Sequence, residues 1–282
     1  MTPAWTPLVP ADALPRLERA VAGFAATLAD DAADLAAPVP TCPGWDLRAL
    51  AHHLGNVHRF ARGAIVEGHP DTPEVDAPAG RPALVARYTD CAGRLLETLH
   101  TVDPQQPCWG FGPKPRTASF WHRRQLHETT MHAQDAALAA GLPVPALDPV
   151  VALDGLDEVA GMFFPRQVRL GRIAPLVRSL AVVPTGDLAG RPGLRWVLAG
   201  DGTGPRIQPD AKPDAQPDAQ PDAKPDAKPD AKPDAEPDAE VRGPADALLA
   251  LLWHRTGPDD ARLTVGGDPG ALRDVLAVAL TP

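Results

Sequence analysis

Apolar residues recur at three- and four-residue intervals through the first half of the chain, most regularly at Leu47, Leu50, Leu54, Val57, Ala61 and Ile65. That spacing lines one side of a helix with hydrocarbon, and the same pattern predicts helices over 11–36, 46–67, 81–99 and 117–140. Asp46 stands where the second helix needs an N-cap, and Gly141 and Pro143 stop the fourth. The linker over 102–116, rich in Pro and Gly and carrying Trp109, Phe111 and Lys114, is expected to cap the end of the helices. A fifth helical pattern covers 149–164. Beyond it the character changes to short strand-like runs at 177–183 and 194–198, broken by Pro and Gly turns. A strand at 240–242, a helix over 244–255, a strand over 262–265 and a closing helix over 271–280 complete the pattern. The expected fold is an N-terminal all-α four-helix bundle over residues 1–145, followed by a small C-terminal α+β domain over 146–282. With 282 residues the chain can bury a core in each.

Composition changes this picture at one place. From 209 to 240 the chain repeats Pro-Asp-Ala followed by Lys, Gln or Glu. Proline at every fourth position removes backbone donors and blocks a continuous helix, and Ala with Asp offers too little apolar surface for a core. The expectation is a solvated, extended insertion at about 208–240, hanging between two strands of the α+β domain without interrupting it. The segment holds eight Asp and two Glu against four Lys, a net of −6 out of the formal −9 of the whole chain. The remainder is only mildly acidic and has no basic patch, which argues against a nucleic-acid partner. No stretch approaches the ~18 consecutive apolar residues of a membrane span. The N-terminal residues lack a basic region followed by an apolar run, so a cytoplasmic location is expected. The three cysteines, Cys42, Cys91 and Cys108, form no close pair, which suggests neither a disulfide framework nor a thiolate zinc site.

The candidate chemistry lies in the fourth helix. On a helix advancing about 100° per residue, His132 falls about 40° to one side of Glu128 and Asp135 about 20° to the other. Trp121, Met131, Leu138 and Ala139 lie within about 80° of the same direction, so this is the side a bundle would bury. A buried carboxylate demands compensation, either from a cation or from a basic neighbour such as Arg124, one turn before Glu128. The zinc-protease pattern is absent, because its second histidine would fall at Met131. His127 and His132 are about 140° apart and do not chelate one ion together, so a third ligand must come from another helix. On the second helix His52 projects away from the apolar stripe, among Arg48, Asn56 and Arg59, and should be solvated. His53 and His58 lie on the two flanks of the stripe, and periodicity leaves both open.

The Cys-Pro-Gly-Trp turn and His-Leu-Gly helix within 42–57, together with His127-Glu128, His132 and Asp135, resemble the mycothiol-dependent maleylpyruvate isomerase family. The segments over 243–255 and 263–268 are similar to that family's closing helix and strand. The resemblance implies a DinB-like bundle with a sterol-carrier-like second domain. It selects His53 over His58, to join Glu128 and His132 in binding a divalent metal ion, zinc first among the candidates. It also implies mycothiol as cofactor and an electrophilic small molecule as substrate. Asp135 would orient a ligand from behind, and Arg255 would meet a substrate carboxylate. Two histidines and a carboxylate leave coordination positions open, as catalytic sites do. A free thiol titrates near ~8.5, and metal coordination can deprotonate it, so the expected chemistry is thiol activation for cis-trans isomerisation or thiol transfer. A noncatalytic metal- or thiol-binding protein and a thiol-independent metal hydrolase are the alternatives.

Overall fold

The computed structural model describes residues 5–69, 76–186, 193–202, 207–209 and 236–281. The chain divides into two compact units, one over Pro7–Leu147 and the other over 148–281 with Trp5 and Thr6.

The first unit consists of α1 (Pro10–Ala29), α2 (Leu47–Val66), α3 (Arg81–Thr101) and α4 (Ala118–Ala139). Helix α1 packs on α3 and α4, and α2 packs on the same two. Phe24, Leu28, Leu50, Leu54, Leu84, Tyr88 and Ala136 meet in the core between them. Three of the helices start and stop close to where the apolar spacing puts them, but α1 ends seven residues before the expected 36. The chain turns extended at Asp30, and the carboxylates of Asp30 and Asp34 accept the backbone N–H groups of Ala32 and Ala36 at 2.9 Å each. Such local bonds compete with helix, while Ala33 and Leu35 still reach the core from the turns.

Helix α2 begins as expected, with Asp46 accepting the N–H of Ala49 at 2.7 Å. The turn before it is tied by Val39 N–H to Trp45 O, Cys42 N–H to Val39 O and Trp45 N–H to Cys42 O, and Gly44 supplies the positive φ of 86° that the turn requires. Helix α4 differs from the single-stripe expectation. Trp121 and Met131 are buried, but Leu138 is 45% exposed, and Arg124, Gln125, His127 and Thr129 are buried alongside the apolar residues. A helix covered on most of its circumference shows no one apolar stripe. Trp109 and Phe111 of the 102–116 linker join Phe60, Phe120 and Trp121 in an aromatic cluster, and the Trp121 indole N–H donates to Trp109 O at 2.8 Å. Lys114 is exposed.

The second unit opens with α5 (Pro149–Glu158), which runs through a π-helical turn (Val159–Phe163) into α6 (Phe164–Arg169), extending the helical segment beyond the expected 164. Strands β1 (Leu176–Thr185), β2 (Leu194–Gly200), β3 (Ile207–Pro209), β4 (Ala239–Pro244) and β5 (Thr264–Gly267) form a five-stranded sheet in the order β3-β2-β1-β4-β5. The β1–β4 pair is parallel and the others antiparallel. Val182 faces Trp196 on one side and Val241 on the other. Helices α7 (Ala245–Leu252) and α8 (Pro269–Leu276) pack on the sheet, and α5 packs on α7. Helix α7 stops three residues before the expected 255, with His254 in a left-handed conformation (φ 58°) just past it. Helix α8 starts two residues early because Asp268 caps it by accepting Gly270 N–H at 2.7 Å, with Pro269 at the first position. The expected extended insertion falls largely on 210–235, outside the described residues. Among the described residues no helix is long and apolar enough to cross a membrane.

Candidate metal centre

Helices α2 and α4 bring His53, Glu128 and His132 together, with one potential ligand atom from each lying within 4.8 Å of the others. Nε2 of His53 and Nε2 of His132 are each 3.3 Å from the same oxygen, Oε1 of Glu128. The two imidazoles meet edge to face, 5.3 Å between centroids. The other oxygen, Oε2, accepts a hydrogen bond from Nη2 of Arg124, one turn earlier on α4 and buried. Nδ1 of His132 lies 2.9 Å from Oδ2 of Asp135. The remaining hydrogen-bonding atoms of Glu128 and His132 are therefore occupied from behind, and Oε1 of Glu128 and Nε2 of His132 converge with Nε2 of His53. Two imidazole nitrogens and a carboxylate oxygen are the donor set of an open divalent-metal site, so these residues fit such an ion.

The surroundings set the charges. Burial alone would raise the Glu128 carboxyl, but the Arg124 guanidinium and hydrogen bonds from His132 and His53 hold it well below the usual carboxylate range. Burial would likewise lower His132, yet hydrogen bonding to Asp135, then to Cys42 and Glu128, holds the imidazole well above its ordinary value. A cation taking Nε2 of this ring would have to displace a proton. His53 is the accessible member, its side chain 34% exposed against 12% for Glu128 and 8% for His132. The Trp45 ring lies against it at 4.7 Å.

Periodicity left His53 and His58 open. The structure sends His58 elsewhere, into full burial, with Nδ1 2.9 Å from the amide oxygen of Gln125. His52 is half-buried, not fully solvated, 3.4 Å from the Asn56 amide, which in turn accepts from Arg87. Arg255 belongs to the other unit, where it donates to Trp253 O at 2.9 Å and lies 5.5 Å from the Trp253 ring centroid. Spacing gave no sign of Thr41 and Cys42. Both donate to Asp135, Thr41 Oγ1 to Oδ1 at 2.6 Å and Cys42 Sγ to Oδ2 at 3.6 Å. Cys42 and Asp135 also form, with His132, a second group whose potential ligand atoms lie within 4.8 Å of one another.

A helical bundle with an inward His-Glu-His constellation, followed in the same chain by a small α+β unit, defines a two-part class of protein. Residues 14–137 match the family model described as the mycothiol maleylpyruvate isomerase N-terminal domain, and residues 150–274 match its MDMPI C-terminal domain. The chain belongs to the mycothiol maleylpyruvate isomerase family. Its fold is similar to the crystal structure of a mycothiol-dependent maleylpyruvate isomerase, with a TM-score of 0.56 at 12% identity over 93% of this chain and 96% of that one. A histidine-to-alanine variant of such an enzyme is similar too, with a TM-score of 0.52 over the same shares. No curated protein matches the sequence.

Proposed function

We propose that this chain is a metal-dependent enzyme that uses mycothiol to isomerise an electrophilic cis-alkene acid of the maleylpyruvate type, or to transfer the thiol to such a substrate. The observation that supports it best is the convergence of two histidine nitrogens on one oxygen of Glu128 while that residue's other oxygen is held by Arg124. His53, Glu128 and His132 would hold a divalent ion, zinc first among the candidates. When bound, such an ion supplies the positive charge that lets a thiol ionise at neutral pH. The remaining work belongs to the chain. Arg124 keeps Glu128 ionised and restricts it to one free oxygen. Asp135 accepts the Nδ1 proton of His132, so Nε2 is the ring atom that a cation would take in place of a proton. The exposed edge of His53, beside Trp45, gives access from solvent. In the isomerase reading a C–S bond forms at the cis double bond, the resulting single bond rotates, and the C–S bond breaks to give the trans alkene and the unchanged thiol. The cytoplasm, where small thiols stay reduced, suits this chemistry.

The test gives purified protein zinc, mycothiol and maleylpyruvate and follows the alkene spectroscopically. Turnover is expected in the unaltered protein, loss to background in His53→Ala and Glu128→Ala, and a fall of about 10- to 100-fold in Asp135→Asn. Full activity in both alanine variants would end the metal reading. Turnover without any thiol would favour a hydrolase, and metal uptake without turnover a binding protein.

A further inference from the structure

We propose that Thr41, in the turn leading into α2, is a positioning residue for this centre: through Asp135 it fixes the imidazole of His132 in the orientation and tautomer that leave Nε2 to the ion. This rests on the metal reading above and adds to it a residue from a segment that carries none of the three ligands.

His132 stands between two carboxylates, with Nε2 3.3 Å from Glu128 and Nδ1 2.9 Å from Asp135. A neutral imidazole has one ring proton. For Nε2 to coordinate, that proton must sit on Nδ1, and Asp135 is the group placed to accept it. Asp135 is 1% exposed. Without water to satisfy it, a buried carboxylate keeps one orientation only while protein donors occupy its oxygens. Thr41 Oγ1 donates to Oδ1 at 2.6 Å, and Cys42 Sγ donates to Oδ2 at 3.6 Å, on the oxygen that also faces His132. The hydroxyl contact is short, whereas a thiol is a weak donor at long range, so of these two donors Thr41 supplies the stronger restraint.

The turn is built to present this hydroxyl. Its backbone is closed by the bonds among Val39, Cys42 and Trp45, and the next residue, Asp46, caps α2. One short segment therefore sets the start of the helix that carries His53 and reaches across to the carboxylate behind His132. Ligands from two helices are brought into register by the same turn.

The experiment measures the zinc affinity of the full chain by competition with a chromophoric chelator, for the unaltered protein and for Thr41→Val, Thr41→Ala and Thr41→Ser. Thermal melting of the metal-free proteins is followed in parallel. Val and Ala remove the donor and are expected to weaken zinc binding about 10- to 100-fold, as loss of an outer hydrogen-bond partner does. Ser keeps the donor and is expected to restore most of the affinity. If Val misfolds, Ala is read in its place, because it removes the same hydroxyl without a branched side chain. Unaltered affinity in a folded Val or Ala variant overturns the role of Thr41, and so does a Ser variant as weak as Ala. Both outcomes leave the metal reading standing. Failure of the unaltered protein to take up zinc overturns the proposed function itself, and the role of Thr41 with it.

Discussion

His53 and His58 flank the same apolar stripe of α2, and the residues opposite them on α4 give the two rings different roles. His53 meets the carboxylate of Glu128, and His58 meets the neutral amide of Gln125. Burial pushes His58 down to about 4, and its bond to Gln125 and the nearby charge of Glu128 offset this only in part. Because its folded value lies below the ~6.5 of an unfolded histidine, the unfolded chain takes up the proton first as pH falls. Stability tied to a neutral His58 is therefore complete above about pH 6.5 and is lost progressively towards pH 4, by about 3 kcal/mol in all. Urea denaturation of the helical unit across this range should show that loss in the unaltered protein and a flatter profile in His58→Gln. A profile of equal slope in both would rule this account out. Spacing on α2 could not choose between these two histidines, since their flanks are equivalent on one helix. What distinguishes them is a Glu or a Gln 75 or 67 residues away. The same holds for Thr41, whose partner Asp135 is 94 residues distant and leaves no local pattern to read.

At the scale of elements, the start of α2 matters most to the centre. Asp46 satisfies the N–H of Ala49 and ends the turn that carries Thr41 and Cys42. Asp46→Ala should lower the unfolding free energy of the helical unit by about 1 kcal/mol, as loss of an N-cap does, while Asp46→Asn should retain most of it. Urea titrations of the two variants against the unaltered protein check this. Helix existence and the four-helix class were legible because α2 and α3 bury one face each and cap or break at Asp46, Gly80 and Val102. The end of α1 was not, because Asp30 and Asp34 compete for the backbone through side-chain bonds that an apolar period does not register. Nor was the environment of α4, whose burial on several sides erases the contrast between faces on which periodicity depends. In the second unit the π-helical turn over Val159–Phe163 is wholly apolar and reads like any helix, and β3 is three residues long, too short to show alternation.

For the molecule as a whole, the sheet order constrains the chain between β3 and β4. Both strands run parallel to β1, and β2 and β1 lie between them, so the end of β3 and the start of β4 are separated by about 14 Å of sheet at ~4.8 Å per strand and stand at its opposite ends. A parallel crossover of this kind takes about a dozen residues or more. The chain between Pro209 and Ala239 is more than twice as long. Deleting residues 213–228 leaves enough to close the connection and should preserve the melting temperature. Deleting 212–235 leaves too little and should lower the melting temperature, with loss of β-sheet signal in circular dichroism. Equal melting of both deletions would contradict this strand order. The strand order also means that the polypeptide could be severed within the repeat without unravelling the sheet. Six residues of β1, Leu180 to Thr185, stay in register with Ala239 to Pro244 of β4, so the two fragments would remain clasped as a noncovalent pair.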